Sequence, residues 1–366
     1  MIFDRETYKR FFLGYDIIDC TIGFEDGRLG FLLAEIKEGK AHDDHYQLRL
    51  LAVKRTNPVD TRFFSMSTNA LSHWSDLCSA WEPGHAEFVG VDTGRTVYGY
   101  RPKVHKGQEA RIPFHRVPAG AEARYDSIVR RTVRAGTTVF AVGWPFRVYE
   151  RLGPDQWREH TDIPLPEGLD STDEDTFDEA MGLDQSSFHY LAGRSALDLY
   201  VVGSRGAVWR RQGQAWRQLA FPSDLSLRTV AVAPNGMAYI TDENGRVWKG
   251  LDDGWRCLTP VWKHHEGFKD SAWFAGRLWC TGDKGGLYVL QGRRMVLAQD
   301  ARAQPMPWEF SSAARRLDVS PDGRVLLIAG GVWAAQFDGS DWKWLIREMP
   351  KARDIADGAI EVLASN

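Results

Sequence analysis

Short runs of alternating apolar and polar residues, separated by glycine-centred turns, fill most of the chain. The pattern is fully displayed between residues 228 and 259. RTVAVAP (228–234), GMAYIT (236–241), GRVWKG (245–250) and GWRCLT (254–259) each carry the period of two that marks half-buried strands. Asn235-Gly236, Asn244-Gly245 and Asp253-Gly254 separate them, and such pairs supply the positive φ angles of tight hairpins. The expectation is a unit of four antiparallel strands.

The unit recurs about every forty residues. LYVVGSRGAVWRRQGQAWRQL (199–219) aligns with AYITDENGRVWKGLDDGWRCL (238–258) and LWCTGDKGGLYVLQGRRMVL (278–297). VFAVGWPFRVYERLGPDQWREH (139–160) and LLIAGGVWAAQFDGSDWKWL (326–345) are further copies. An aromatic residue in one strand is followed nine residues later by another, in the pairs Phe140 and Tyr149, Tyr200 and Trp209, Tyr239 and Trp248, and Trp279 and Tyr288. Trp157, Trp216, Trp255 and Trp342 then mark the last strand of four copies. A four-stranded unit of this period is a β-propeller blade.

Five copies lie between 124 and 346, and 86–102, with a hairpin ending near Phe114, supplies a sixth. Residues 16–55 hold three strands of a seventh, and AIEVLA (359–364) is expected to add its missing strand, joining the termini. The fold class is all-β: one β-propeller domain over 1–366, with seven four-stranded blades and six as the alternative. Residues 66–81 read as a helical or irregular insertion.

The core pattern is G-x-x-G-x-[VL]-[WY]-[RK], then about six residues, then W-[RK]. It resembles the BNR and YVTN-type propeller repeats, including those of photosystem-assembly-factor-like proteins, over roughly 124–346. VVGSRGAVWRRQGQAWRQL (201–219) is the best match. No copy holds a full S-x-D-x-G-x-T-W Asp-box, and the Trp-Asp dipeptide of WD repeats is absent. The resemblance implies a fold, and a fold does not assign an activity.

Composition narrows the function classes. The formal net charge is −3, so no global field draws the chain to nucleic acid or to an anionic membrane. Cys20, Cys78, Cys257 and Cys280 lack metal-ligand spacing and read as reduced core residues. MIFDRETYKRFFLG lacks the regions of a signal peptide, and the apolar run at 325–335 is too short to span a bilayer. A cytoplasmic protein with no membrane partner is expected.

The aromatic ladder could stack bases or sugars, but its recurrence in register argues for packing between blades. Arg158, Arg210, Arg217 and Arg256 are expected to face solvent. Asp198 and Asp318 read as turn caps. No arginine cluster with an acid and a nucleophile can be assembled, so no catalytic residue and no cofactor is assigned. His42, Asp43, Asp44 and His45 are metal-competent groups with nothing to fix their geometry, His264 and His265 are weaker, and no metal site is assigned. Residues 101–134 hold nine Lys and Arg against three Asp and Glu. They are expected to point outward along strands or to offset an acidic segment, and nucleic acid is not expected as a partner.

That acidic segment is TDIPLPEGLDSTDEDTFDEAMGLDQS (161–186), with nine acidic residues and no Lys or Arg. It lengthens the Tyr149-to-Trp209 spacing to 60 residues, against 39 or 40 elsewhere. Long insertions between repeats fall where loops carry function. The expectation is a docking element in which Asp170, Asp173, Glu174, Asp175, Asp178 and Glu179 steer a basic partner, with Phe177, Met181 and Leu183 as apolar anchors on a short helix. The reading is a non-catalytic, protein-binding propeller, most concretely an immunity or antitoxin-type protein that occludes a cognate basic toxin or nuclease. An assembly factor or adaptor, and a hydrolase or lyase acting at the central channel, are the alternatives.

Overall fold

The computed structural model describes residues 5–25, 27–36, 47–82, 84, 86–113, 128–169, 171, 173–180, 182, 185–259, 267–301 and 314–347. These form seven four-stranded antiparallel sheets, each pairing its strands in chain order. Blades 1 to 7 span 15–68, 75–108, 128–159, 188–218, 227–257, 268–297 and 316–346. The first strands are Tyr15–Ile22, Ser75–Ala80, Ile128–Ala135, Phe188–Ser195, Leu227–Val232, Phe268–Phe274 and Arg316–Val319. Each packs against the first strand of the next blade, and that of blade 7 packs against that of blade 1. The ring is therefore closed around a channel walled by first strands.

Two expectations are corrected here. Residues 66–81 are not an insertion: Phe63–Thr68 is the fourth strand of blade 1 and Ser75–Ala80 the first of blade 2. Ser75–Ala80 is buried at all six positions, so it shows no alternation in sequence. Blade 1 thus takes all four strands from 15–68, and no strand from 359–364, which lies outside the described residues, is needed to complete it.

The aromatic ladder packs between blades. The second-strand aromatic of one blade meets the fourth-strand tryptophan of the next. Tyr200 meets Trp255 at 6.2 Å, and Trp279 meets Trp342 at 6.2 Å, both edge to face. Phe140 and Trp216 share one cluster, bridged by His160. The hairpins use the expected glycines at Gly236 and Gly245, both at positive φ. In the third hairpin the positive φ falls on Asp252 instead, because Leu251 pairs with Gly254 and leaves Asp252-Asp253 as the turn. A short helix, α1 (Arg5–Phe11), lays Tyr8 and Phe11 on blade 1.

The meander gives the disc two unlike faces. The segments joining successive blades and the turn between strands two and three of each blade open on one face, called the link face below. The other two turns of each blade open on the opposite face.

Candidate functional site

The channel is closed by charge. Asp19, Asp76, Arg131, Tyr190, Asp270 and Arg316 converge from the first strands of blades 1, 2, 3, 4, 6 and 7. The Arg131 guanidinium donates to Asp76 at 2.7 Å and to Asp270 at 2.8 Å. Arg316 donates to Asp76 at 3.1 Å and lies 3.8 Å from Asp19. The Tyr190 hydroxyl donates to Asp270. In blades 1, 3, 4 and 6 this residue follows a β-bulge, as does its blade 5 equivalent, the buried Thr229. A bulge re-aims the side chain after it.

The three carboxylates each also tie their own blade to the next. Asp19 accepts the Leu77 N–H at 2.8 Å, Asp76 that of Thr132 at 2.8 Å, and Asp270 that of Leu317 at 3.1 Å. Asp318 accepts the Ile22 N–H at 2.7 Å and the Arg134 guanidinium at 2.8 Å. Asp318 is thus one of the bonds that close blade 7 on blade 1, not a turn cap. Burial pushes the Asp19 carboxyl up to about 6, against the pull of Arg316 and Arg131. Burial also opposes the charge on Arg131, but Asp270 and Asp76 outweigh it and hold the guanidinium protonated.

Arginines expected in solvent are partly inside. Arg210 is 6% exposed and pairs with Asp252 at 2.5 Å in the next blade, so its assignment to solvent is overturned. Asp198, expected as a turn cap, pairs with Arg194 and lies 3.4 Å from Arg210. Arg217 and Arg158 are half exposed yet paired, with Asp253 and Glu150, while Arg256 is exposed. The basic stretch splits likewise: Arg131 and Arg134 enter the channel, and their carboxylate partners are not in the acidic segment.

On the link face the channel widens into a funnel of about 780 Å³, floored by Arg131 and Arg316. Trp74, 64% exposed, stands on its rim against His73. A second recess runs from the funnel to the acidic segment, and Gln185, Arg205 and Asp224 line both. The acidic segment links blades 3 and 4, so the topology places it on this same face.

The acidic segment is seated rather than free. Its helix α2 (Glu174–Ala180) begins at Asp173, whose carboxylate accepts the Thr176 N–H at 2.9 Å and the Thr176 hydroxyl at 2.6 Å. These bonds hold the Asp173 carboxyl below its ordinary range. Phe177, 3% exposed, packs with Leu169 on Trp144 at the end of the second strand of blade 3. It is therefore not the exposed anchor expected: burial against Trp144 removes it from any partner. Asp162 accepts the Trp216 N–H at 2.9 Å and ties the segment to blade 4. Asp162, Glu167, Asp173 and Asp175 are exposed, and Glu174, Asp178 and Glu179 are placed on α2. Asp170, Met181 and Leu183 lie outside the described residues, as do His42, Asp43, Asp44, His45, His264 and His265.

Sequence reasoning missed the channel residues and Trp74. A signal for the former exists: I-D-C, S-D-L and K-D-S recur at one position of three first strands.

No family model matches the chain. Immune protein Tsi7 of Pseudomonas aeruginosa is 26% identical over 204 residues, which is 56% of this chain. The match spans 59% of that relative's length. Among solved structures, YCF48 from Cyanidioschyzon merolae superposes with a TM-score of 0.55 at 10% identity, covering 87% of this chain and 93% of that one. The β-propeller domain of Myceliophteria thermophila Cps50 (Swd1) gives 0.52 at 10% identity, over 86% and 93%. The WD40 propeller domain of Doa1 gives 0.51 at 10% identity, over 86% and 90%. At such identities these structures share the propeller fold with this chain.

Proposed function

We propose that the protein is a non-catalytic, cytoplasmic immunity-type propeller that binds a cognate toxin through its link face and occludes it. The observation that carries this reading is the likeness to an immune protein over more than half of the chain. The link face adds support. It presents a seated acidic segment, with exposed carboxylates at Glu167 and Asp175, and the exposed Trp74 on the funnel rim. Aromatic anchors flanked by charge suit a protein interface, and acidic groups steer a basic partner toward it. On the same reading the repeat is of the BNR/YVTN type.

Affinity capture from the native host, with the protein as bait, tests this. A stoichiometric basic partner whose toxicity the protein relieves is the expected result. Neutralising Glu167, Glu174, Asp175, Asp178 and Glu179 to their amides should slow association about tenfold at low salt and flatten its salt dependence. Unchanged association kinetics would remove the acidic segment from the interface. Amide substitution is the right variant, since excising 167–184 would strip Leu169 and Phe177 from Trp144.

A further inference from the structure

The funnel carries the opposite charge to the acidic segment. Arg130, Arg205, Arg228 and Lys269 are exposed on its wall, and none has a carboxylate partner among the described residues. Arg315, also on the wall, lies 3.8 Å from Asp16. Beneath them Arg131 and Arg316 hold the floor. Asp76, Asp224, Glu243 and Asp283 line the same space, four carboxylates against the seven cations of wall and floor. Burial, and then Arg316 and Arg131 close by, hold the Lys269 amine below its ordinary range. Arg205 stands at positive φ (52°), so the backbone holds an unfavourable conformation where it presents this side chain.

We infer that the funnel is a receptor for a short acidic segment of a protein, a loop or chain end that carries two or three carboxylates and an apolar neighbour for Trp74. Guanidinium groups bind carboxylates in paired hydrogen bonds, and three of them, with the Lys269 ammonium, stand without carboxylate partners among the described residues on one concave wall and leave that capacity unused. The same chemistry would accept phosphates, but a long polyanion is disfavoured. The acidic segment shares the rim through Gln185, Arg205 and Asp224, and it would repel nucleic acid lying across the face. A short segment entering end-on meets only the wall. The inference rests on the link face being the protein-binding face, and gives that face two poles: an acidic rim and a basic recess.

Fluorescence anisotropy with labelled hexaglutamate on the full-length protein tests this without the natural partner. The peptide should bind, and binding should weaken with salt. Lys269→Gln with Arg228→Gln should weaken it about tenfold, and Arg130→Gln with Arg205→Gln comparably. These side chains are exposed, so the variants should keep the wild-type thermal unfolding curve. No binding, or binding indifferent to both pairs of substitutions, overturns the inference. So does an oligothymidylate of equal charge that binds as tightly with the same sensitivity. Failure of the protein-binding reading shows separately, as absence of a captured partner.

Discussion

Asp19 lies among three carboxylates and two guanidiniums that meet in the channel, and its carboxyl is pushed up to about 6 by burial. In the unfolded chain the same group titrates near 3.9 or so, about the ordinary aspartate value. Between those values the folded protein holds a proton that the unfolded chain has released. The contribution of Asp19 is therefore most favourable below about pH 4 and is lost as pH rises through about 6. Asp19→Asn keeps an acceptor for the Leu77 N–H and removes the titration. The variant should match the wild type near about pH 4 and exceed it by about 1–3 kcal/mol near neutrality, in urea unfolding measured across pH. Parallel pH profiles would show that Asp19 stays ionised throughout.

At the scale of elements, the blades and the acidic segment are held by different contacts and should fail separately. Trp216 is buried between blades 3 and 4, so Trp216→Ala should cost about 3–5 kcal/mol of global stability by denaturant unfolding. Phe177→Ala should leave the global midpoint nearly unchanged, yet speed proteolysis and hydrogen exchange within 161–186, because Phe177 packs in the small rim cluster around Trp144. These elements also differed in how far the sequence revealed them. Blades 4 to 6 were legible because each writes its hairpins in Asn, Asp and Gly and its inter-blade contact in aromatics. Ser75–Ala80 was hidden because a strand buried on both faces loses its alternation. The channel was hidden for a subtler reason. In IVRRTVRA, Arg130 is exposed and Arg131 buried, and the bulge between Val129 and Arg131 resets the alternation that a sequence reader counts. The acidic segment announced itself by charge, but the burial of Phe177 depended on Trp144 and Leu169, which no local pattern links to it.

At the scale of the whole molecule, the described residues close the ring by noncovalent bonds between the first strands of blades 7 and 1. Asp318 concentrates that closure: it accepts from Thr21, Ile22 and Arg134 at once. Asp318→Ala leaves the Arg134 guanidinium buried without its carboxylate and should cost about 2–4 kcal/mol, while the exposed Asp322→Asn should stay within about 0.5 kcal/mol. Equal stability of the two variants would show that Asp318 does not hold the ring closed.

The closing contacts also impose an order on biosynthesis. Asp19 and Asp76 leave the ribosome some 240 residues or more before Arg316, which pairs with both. Until then Arg131 is, among the described residues, the one channel guanidinium beside Asp19 and Asp76, and no half-made disc can seal its axis. The axis is thus sealed only once blade 7 is made, and a chain cut before Arg316 should lack the seal.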